Sequence, residues 1–207
     1  MHITILTFDG FNELDSLIAF GILNRANHNW RVSIASPTPR VTSMNGVVIE
    51  AQASISEAVK ADVVLLGSGM QTREIVNDAS LMDQLKLDPN KQLLGAQCSG
   101  TLILAKLDLL DAVPACTDLT SKPWVQEAGI EVLNQPFFAN GNLATAGGCL
   151  ASSYLACWVI ARLEGIQAAK NAMHYFAPVG EKDEFVERMQ RHVTPYLNQG
   201  NPPNIHG

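Results

Sequence analysis

The chain has 207 residues, 47% hydrophobic, 16% charged and 6% aromatic, with a formal net charge of −6. That length suits one medium domain whose core buries about 70% of the unfolded surface without disulfide or metal staples. The low charge and abundant aliphatic residues exclude disorder, and the acidic balance argues against nucleic acid or an anionic membrane as the main partner.

His2 to Phe8 reads as a strand, followed by the polar turn Asp9-Gly10-Phe11-Asn12-Glu13. Leu14, Leu17, Ile18, Gly21 and Ile22 recur at helical spacing, which predicts an amphipathic helix to about Asn27. Trp30 to Ala35 reads as a second strand, and the runs Val41–Met44 and Val47–Ala51 flank the hairpin signal Asn45-Gly46. Asp62 to Leu66 is a continuous apolar strand ending in Gly67-Ser68-Gly69, and helical spacing fills Thr72 to Lys86.

Lys91 to Gln97 predicts a strand that runs directly into Cys98-Ser99-Gly100 and an apolar helix, Thr101 to Leu110. A short strand at Ala112–Thr117, a helix at Lys122–Ala128 and a strand at Glu131–Leu133 follow. A second hairpin pairs Phe137–Ala139 with Asn142–Thr145 about Asn140-Gly141. Leu150 to Leu163 is apolar nearly all round and predicts a buried helix. Helical segments at Ile166–Phe176 and Glu181–Leu197 precede a tail rich in Asn, Pro and Gly. The alternation predicts an α/β sandwich: a mostly parallel sheet with helices on both faces. The expected organisation is one α/β domain over residues 1–165, a helical extension packed on it over 166–197, and a flexible tail over 198–207. No run is long and apolar enough to span a bilayer, and the opening residues do not read as a signal peptide, so the expected location is cytoplasmic.

Sites on such sheets sit at the carboxyl ends of strands, where Asp9–Asp15, Gly67–Met70 and Cys98–Gly100 would meet. Of four cysteines, Cys98 alone lies between a strand and a helix, with small residues Ala96 and Gly100 two positions away on either side. That spacing suits a strained nucleophile elbow, and a helix N-terminus favours the thiolate. Cys116, Cys149 and Cys157 lack this context and read as small buried hydrophobes; no cysteine or histidine spacing suggests a metal. Asp15 also fits a local role, as an acid in a first helical turn capped by Asn12. Among the histidines, His174 is the one that could visit a pocket.

The strand-Cys98-Ser99-Gly100-helix segment, the Phe8-Asp-Gly-Phe-Asn-Glu-Leu-Asp15 loop, Asp62-Val-Val-Leu-Leu-Gly-Ser-Gly69 and Asn142-Leu-Ala-Thr-Ala-Gly-Gly148 together resemble the ThiJ/PfpI superfamily over about residues 2–165. The resemblance implies a flavodoxin-like three-layer sandwich related to class I glutamine amidotransferases, a homodimer and no cofactor. It is nearest to the isonitrile hydratase branch, a lyase adding water to an isonitrile to give an N-substituted formamide. It further implies Cys98 as nucleophile, Asp15 as the acid against its sulfur, Ser99 orienting substrate or water, and Gly69 with Ser68 and Gly100 on the oxyanion and substrate side. Ser99 stands where that branch has Thr, Gly67-Ser68-Gly69 replaces Pro-Gly-Gly, and Asp118 stands where many relatives carry His. Glyoxalase- or deglycase-like action on reactive carbonyls, and a non-catalytic redox or ligand sensor using an oxidisable Cys98, are the alternatives. Some relatives carry a helix-turn-helix module, for which the 42 residues after 165 are few and not notably basic.

Overall fold

Buried strands that are apolar at every position need cover on both faces, and this chain supplies helices on each side of one twisted sheet. The computed structural model describes residues 1–198. In chain order it contains β1 (His2–Leu6), α1 (Glu13–Ala26), β2 (Arg31–Ser36), β3 (Arg40–Thr42), β4 (Val48–Glu50), β5 (Ala53–Ser54), α2 (Ile55–Ala58) and β6 (Val63–Leu66). There follow α3 (Thr72–Ile75), α4 (Ala79–Met82), β7 (Leu93–Gln97), α5 (Gly100–Lys106), α6 (Lys122–Glu127), β8 (Phe137–Asn140) and β9 (Leu143–Ala146). The helices α7 (Ser152–Glu164), α8 (Ile166–Phe176) and α9 (Lys182–Val193) close the described chain. The main sheet has seven strands in the order β5-β2-β1-β6-β7-β9-β8, parallel throughout except for the β8–β9 hairpin. This is the predicted flavodoxin-like α/β architecture.

Alternation along the central strands divides the core in two. Ile3, Ile5, Val63, Leu65 and Leu93 point to the layer formed by α1, α7, α8 and α9, where Trp158 is fully buried. Leu6, Val64, Leu66, Leu94 and Ala96 point to the opposite layer, against Ile103 and Leu104 of α5. Ala169, Met173, Met189 and Val193 bring α8 and α9 into the first of these cores. Among the described residues no helix is long and apolar enough to cross a membrane.

Several local expectations are corrected. The strands expected at Ala112–Thr117 and Glu131–Leu133 reduce to one bridge, Ala115 with Val132; Pro114 has no N–H to give a ladder and Ala112 holds φ +58°. The helix expected to reach Leu110 stops at Lys106, and Asp108 takes φ +56° just beyond it. The helical stretch 72–86 is two single turns, because the Asp78 side chain accepts the Leu81 N–H at 3.1 Å and starts α4 afresh. The second hairpin turns on Gly141-Asn142 rather than Asn140-Gly141, since Asn140 still pairs with Leu143. The long apolar helix begins as a 3-10 turn at Cys149–Ala151, and the last ends in one at Thr194–Tyr196. The edge strand β5 and α2, held by a Ser54/Glu57 capping box, escaped the sequence reading. The expected tail, apart from residue 198, lies outside the described residues.

Candidate functional site

The loops after β1, β6 and β7 meet at one end of the sheet. The Asn12 N–H donates to the Ser68 carbonyl at 3.0 Å and the Met70 N–H to the Gly10 carbonyl at 2.9 Å, tying the first two loops together. Gly69 permits this: a Cβ there would lie 2.7 Å from the Gly10 carbonyl oxygen. Cys98 follows β7 at φ +48°, a left-handed conformation that costs a non-glycine residue about 1–3 kcal/mol. The surroundings hold it there. Its N–H donates to the Ala146 carbonyl and its own carbonyl accepts the Thr117 hydroxyl, both at 2.8 Å. Behind it, Gly100 lets α5 press on the end of β6, since a Cβ would lie 2.6 Å from the Leu66 carbonyl oxygen. The strained elbow expected from Ala-Gln-Cys-Ser-Gly is therefore formed.

Asp15 reaches this cysteine from the first turn of α1. Asn12 caps that helix by accepting the Leu14 N–H at 3.1 Å, so the local cap and the inward acid coexist. Asp15 is 2% exposed; the Ser68 hydroxyl donates to its Oδ2, while Oδ1 accepts no hydrogen bond among the described residues. The sulfurs of Cys98 and Cys149 and a carboxylate oxygen of Asp15 all lie within 4.8 Å of one another. Cys149 is half-buried. Its sulfur accepts the Asn12 side-chain amide at 3.3 Å, and the Cys98 sulfur accepts the Gln97 amide at 3.4 Å.

Cys149 corrects the sequence reading, which treated it as filler. It lies 51 positions from Cys98 in the chain, yet β9 runs parallel beside β7 and Ala146 pairs with Gln97. Three residues past Ala146, after Gly147-Gly148, the chain stands at the same sheet end as the elbow. The signal was present in the glycine pair after a strand. Among the described residues this trio also has metal-ligand chemistry, where the sequence spacing suggested none.

The electrostatics run against a simple activated thiol. Burial pushes the Cys98 thiol well up, the Asp15 carboxylate raises it further and Asp118 adds to this; the Gly148 amide opposes them. The expected lowering by the helix N-terminus is outweighed, because α5 has only seven residues and Cys98 is 4% exposed. Cys149 is shifted up by burial and by Asp15, whereas burial raises Cys116 and Cys157, each to about 12. The Asp15 carboxylate and a Cys98 thiolate thus repel one another, which keeps the sulfur protonated.

The other expected residues gather at the same place with different engagements. The Ser99 hydroxyl accepts the Gly69 N–H at 3.1 Å and shares a 2.7 Å hydrogen bond with the Thr72 hydroxyl. The Gly69 N–H is thereby occupied, and Ser68 acts on Asp15. Asp118 closes the turn that precedes α6, accepting the Thr120 and Ser121 N–H groups at 2.9 and 3.0 Å. His174 is exposed on α8 and away from this cavity. The cavity above Cys98 has a volume of about 430 Å³, with Met44, Met70 and Trp124 on its walls. That size suits a small molecule. A larger cleft of about 740 Å³ between α1 and α8 has no thiol or carboxylate on its walls.

A parallel sheet carrying a cysteine on a strained strand-to-helix turn, faced by a buried acid, defines the class of flavodoxin-like α/β proteins with a cysteine elbow. The chain belongs to the DJ-1/PfpI family, whose model matches residues 1–161. It is 27% identical over 179 residues to the HTH-type transcriptional regulator CdhR of Pseudomonas aeruginosa, covering 83% of this chain and 53% of the relative. The chain thus spans about half the length of that curated relative. Among solved structures it resembles Schizosaccharomyces pombe DJ-1 (16% identity, 86% of this chain and 100% of the other, TM-score 0.74). It also resembles a ThiJ/PfpI family protein from Pseudomonas syringae (18% identity, 93% and 87%, TM-score 0.75). At these identities the two structures speak for the fold.

Proposed function

We propose that this protein is a cysteine-dependent enzyme acting on a small electrophile without a cofactor, with Cys98 as nucleophile and Asp15 as proton donor. The observation that carries the reading is the left-handed Cys98, held opposite a buried Asp15 whose Oδ1 is left without a protein donor. An isonitrile suits this arrangement. The Cys98 thiol gives its proton to the Asp15 carboxylate, and Asp15 passes it to the isonitrile carbon while the sulfur bonds to that same carbon, giving a thioimidate. Water adds to the C=N bond, the C–S bond breaks, and an N-substituted formamide leaves as the thiol is restored. Ser68 positions Asp15 through the hydrogen bond to Oδ2. Ser99, engaged with Gly69 and Thr72, positions the loop under the substrate.

Glyoxals remain the competing substrate class, since the thiol adds equally well to an aldehyde. Their conversion needs a base to move a carbon-bound proton, and no histidine lines the cavity among the described residues. A panel of alkyl isonitriles and methylglyoxal, followed by NMR, tests the reading. Formamide production that disappears in Cys98→Ala is the expected result; unchanged turnover in that variant overturns it.

A second reading is favoured by the kinship to a transcriptional regulator. Here the same domain is a sensor, and Cys98 is an oxidisable or ligand-binding thiol. Peroxide titration with intact-mass analysis separates the two: selective Cys98 oxidation with no turnover of any substrate supports the sensor. For either reading we propose a homodimer. The exposed Leu14 and Leu17 of α1 and Leu150 beside them offer an apolar face, and sedimentation velocity measures the mass.

A further inference from the structure

We propose that Cys98, Cys149 and Asp15 form a binding site for a thiophilic cation, with Zn(II) as the divalent case, held by two thiolates and one carboxylate oxygen. The three donor atoms lie within 4.8 Å of one another. In a tetrahedral zinc site sulfur ligands stand about 3.8 Å apart, given Zn–S bonds of about 2.3 Å, so closure needs side-chain rotation of about 1 Å. A second, independent observation is Asp15 itself. It is 2% exposed, its Oδ1 accepts no hydrogen bond among the described residues, and that side chain is aimed at both sulfurs. The donors nearest to this buried carboxylate are the two thiols themselves, so a cation that displaces both S–H protons takes their place against it.

Each ligand also has an outer partner. Gln97 donates to the Cys98 sulfur, Asn12 to the Cys149 sulfur and Ser68 to the other oxygen of Asp15. Such contacts fix the orientation of metal ligands. No lysine, arginine or histidine lines the cavity among the described residues, and Asp118 adds a second carboxylate nearby. A dication is the complement to that charge, and two sulfurs select zinc or copper(I) over magnesium or calcium. Binding forms two metal–sulfur bonds and one metal–oxygen bond and releases the two thiol protons to solvent, with no change of oxidation state. All three ligands line the cavity, so a fourth ligand would have to come from it. Because Cys98 is a ligand, metal and electrophile exclude one another at its sulfur.

Cobalt(II) is the probe. Titrated anaerobically into reduced, chelator-washed protein, it is expected to give sulfur-to-cobalt charge-transfer absorption in the near ultraviolet and the strong visible bands of a four-coordinate ion. Zn(II), but not Mg(II), bleaches both. Cys149→Ser is expected to halve the charge-transfer intensity. Asp15→Asn is expected to keep that intensity and to weaken affinity by about tenfold or more. Zn(II) is expected to protect Cys98 from iodoacetamide in the parent protein and not in Cys149→Ser; circular dichroism checks that each variant is folded. Absence of the charge-transfer bands, or bands unchanged in Cys149→Ser, overturns the site. Failure of the catalytic reading is distinguishable, since a protein without turnover still gives the cobalt spectrum if the site is correct.

Discussion

Replacing Asp15 by Asn isolates the charge that opposes the Cys98 thiolate while keeping shape and the contact with Ser68. The carboxylate and the sulfur lie within 4.8 Å and both groups are buried, at 2% and 4% exposure. At an effective dielectric constant of about 20, two unit charges at that separation repel by about 3.5 kcal/mol. The thiolate of Asp15→Asn is freed of this repulsion, and the amide dipole returns only part of it. At 1.36 kcal/mol per tenfold, a gain in thiolate of at least about tenfold is expected at a given pH. The assay is the pH dependence of iodoacetamide alkylation with chelator present, read by mass at Cys98. Asp15→Asn should be alkylated faster near neutrality and yet lose turnover, because the proton donor is gone. A variant alkylated at the parental rate or more slowly refutes the reasoning, for it means that no negative charge sits beside the sulfur in the resting protein.

Cys98→Gly should be more stable than Cys98→Ala by about 1 kcal/mol in urea unfolding, because only glycine takes φ +48° without strain. Equal stability would show that the elbow relaxes once its side chain is removed. Gly100→Ala places a methyl 2.6 Å from the Leu66 carbonyl oxygen and 2.7 Å from that of Gly67; a loss of about 2 kcal/mol is expected, with altered Cys98 alkylation. Burial holds the thiols of Cys98, Cys116 and Cys157 above their ordinary value of 9.0, so above that pH the unfolded chain loses protons that the folded chain keeps. Stability present at pH 8 is therefore lost as pH rises towards about 12, by about 1.4 kcal/mol per pH unit and per thiol within the window. Urea midpoints measured from pH 8 to 10.5 check this, and Cys157→Ala should flatten the slope.

The sheet was legible because its central strands are short, β-rich and buried almost throughout. Val63 to Leu66 and Leu93 to Gln97 are buried at every position, which is what a strand covered by helices on both faces requires. What stayed hidden depended on single residues overriding a pattern. Asp78 split a helical stretch by capping, and the left-handed Asp108 ended another. The 115–133 region kept its apolar spacing but formed one bridge, since neither segment reaches the edge of the main sheet. Propensity could not show that, because the outcome rests on what lies beside the segment.

The same distinction explains the site. Cys98 was legible because its context is local: strand, cysteine, small residues, helix. The loop that carries Asp15 was legible because it follows β1, the strand two places across the sheet, while the place of Asp15 against the sulfur was implied by the family resemblance. Cys149 was not, since its context is supplied by the register that sets Gln97 of β7 beside Ala146 of β9. Once that register is known, the chemistry of the site changes. A lone cysteine and acid make a nucleophile with a proton donor, whereas a second sulfur within 4.8 Å makes the same two residues part of a chelate. Reactivity towards electrophiles at this sheet end must then depend on how free of thiophilic cations the protein is kept. Cys149→Ser is the variant that separates the two chemistries: it removes a ligand and leaves Cys98 and Asp15 in place.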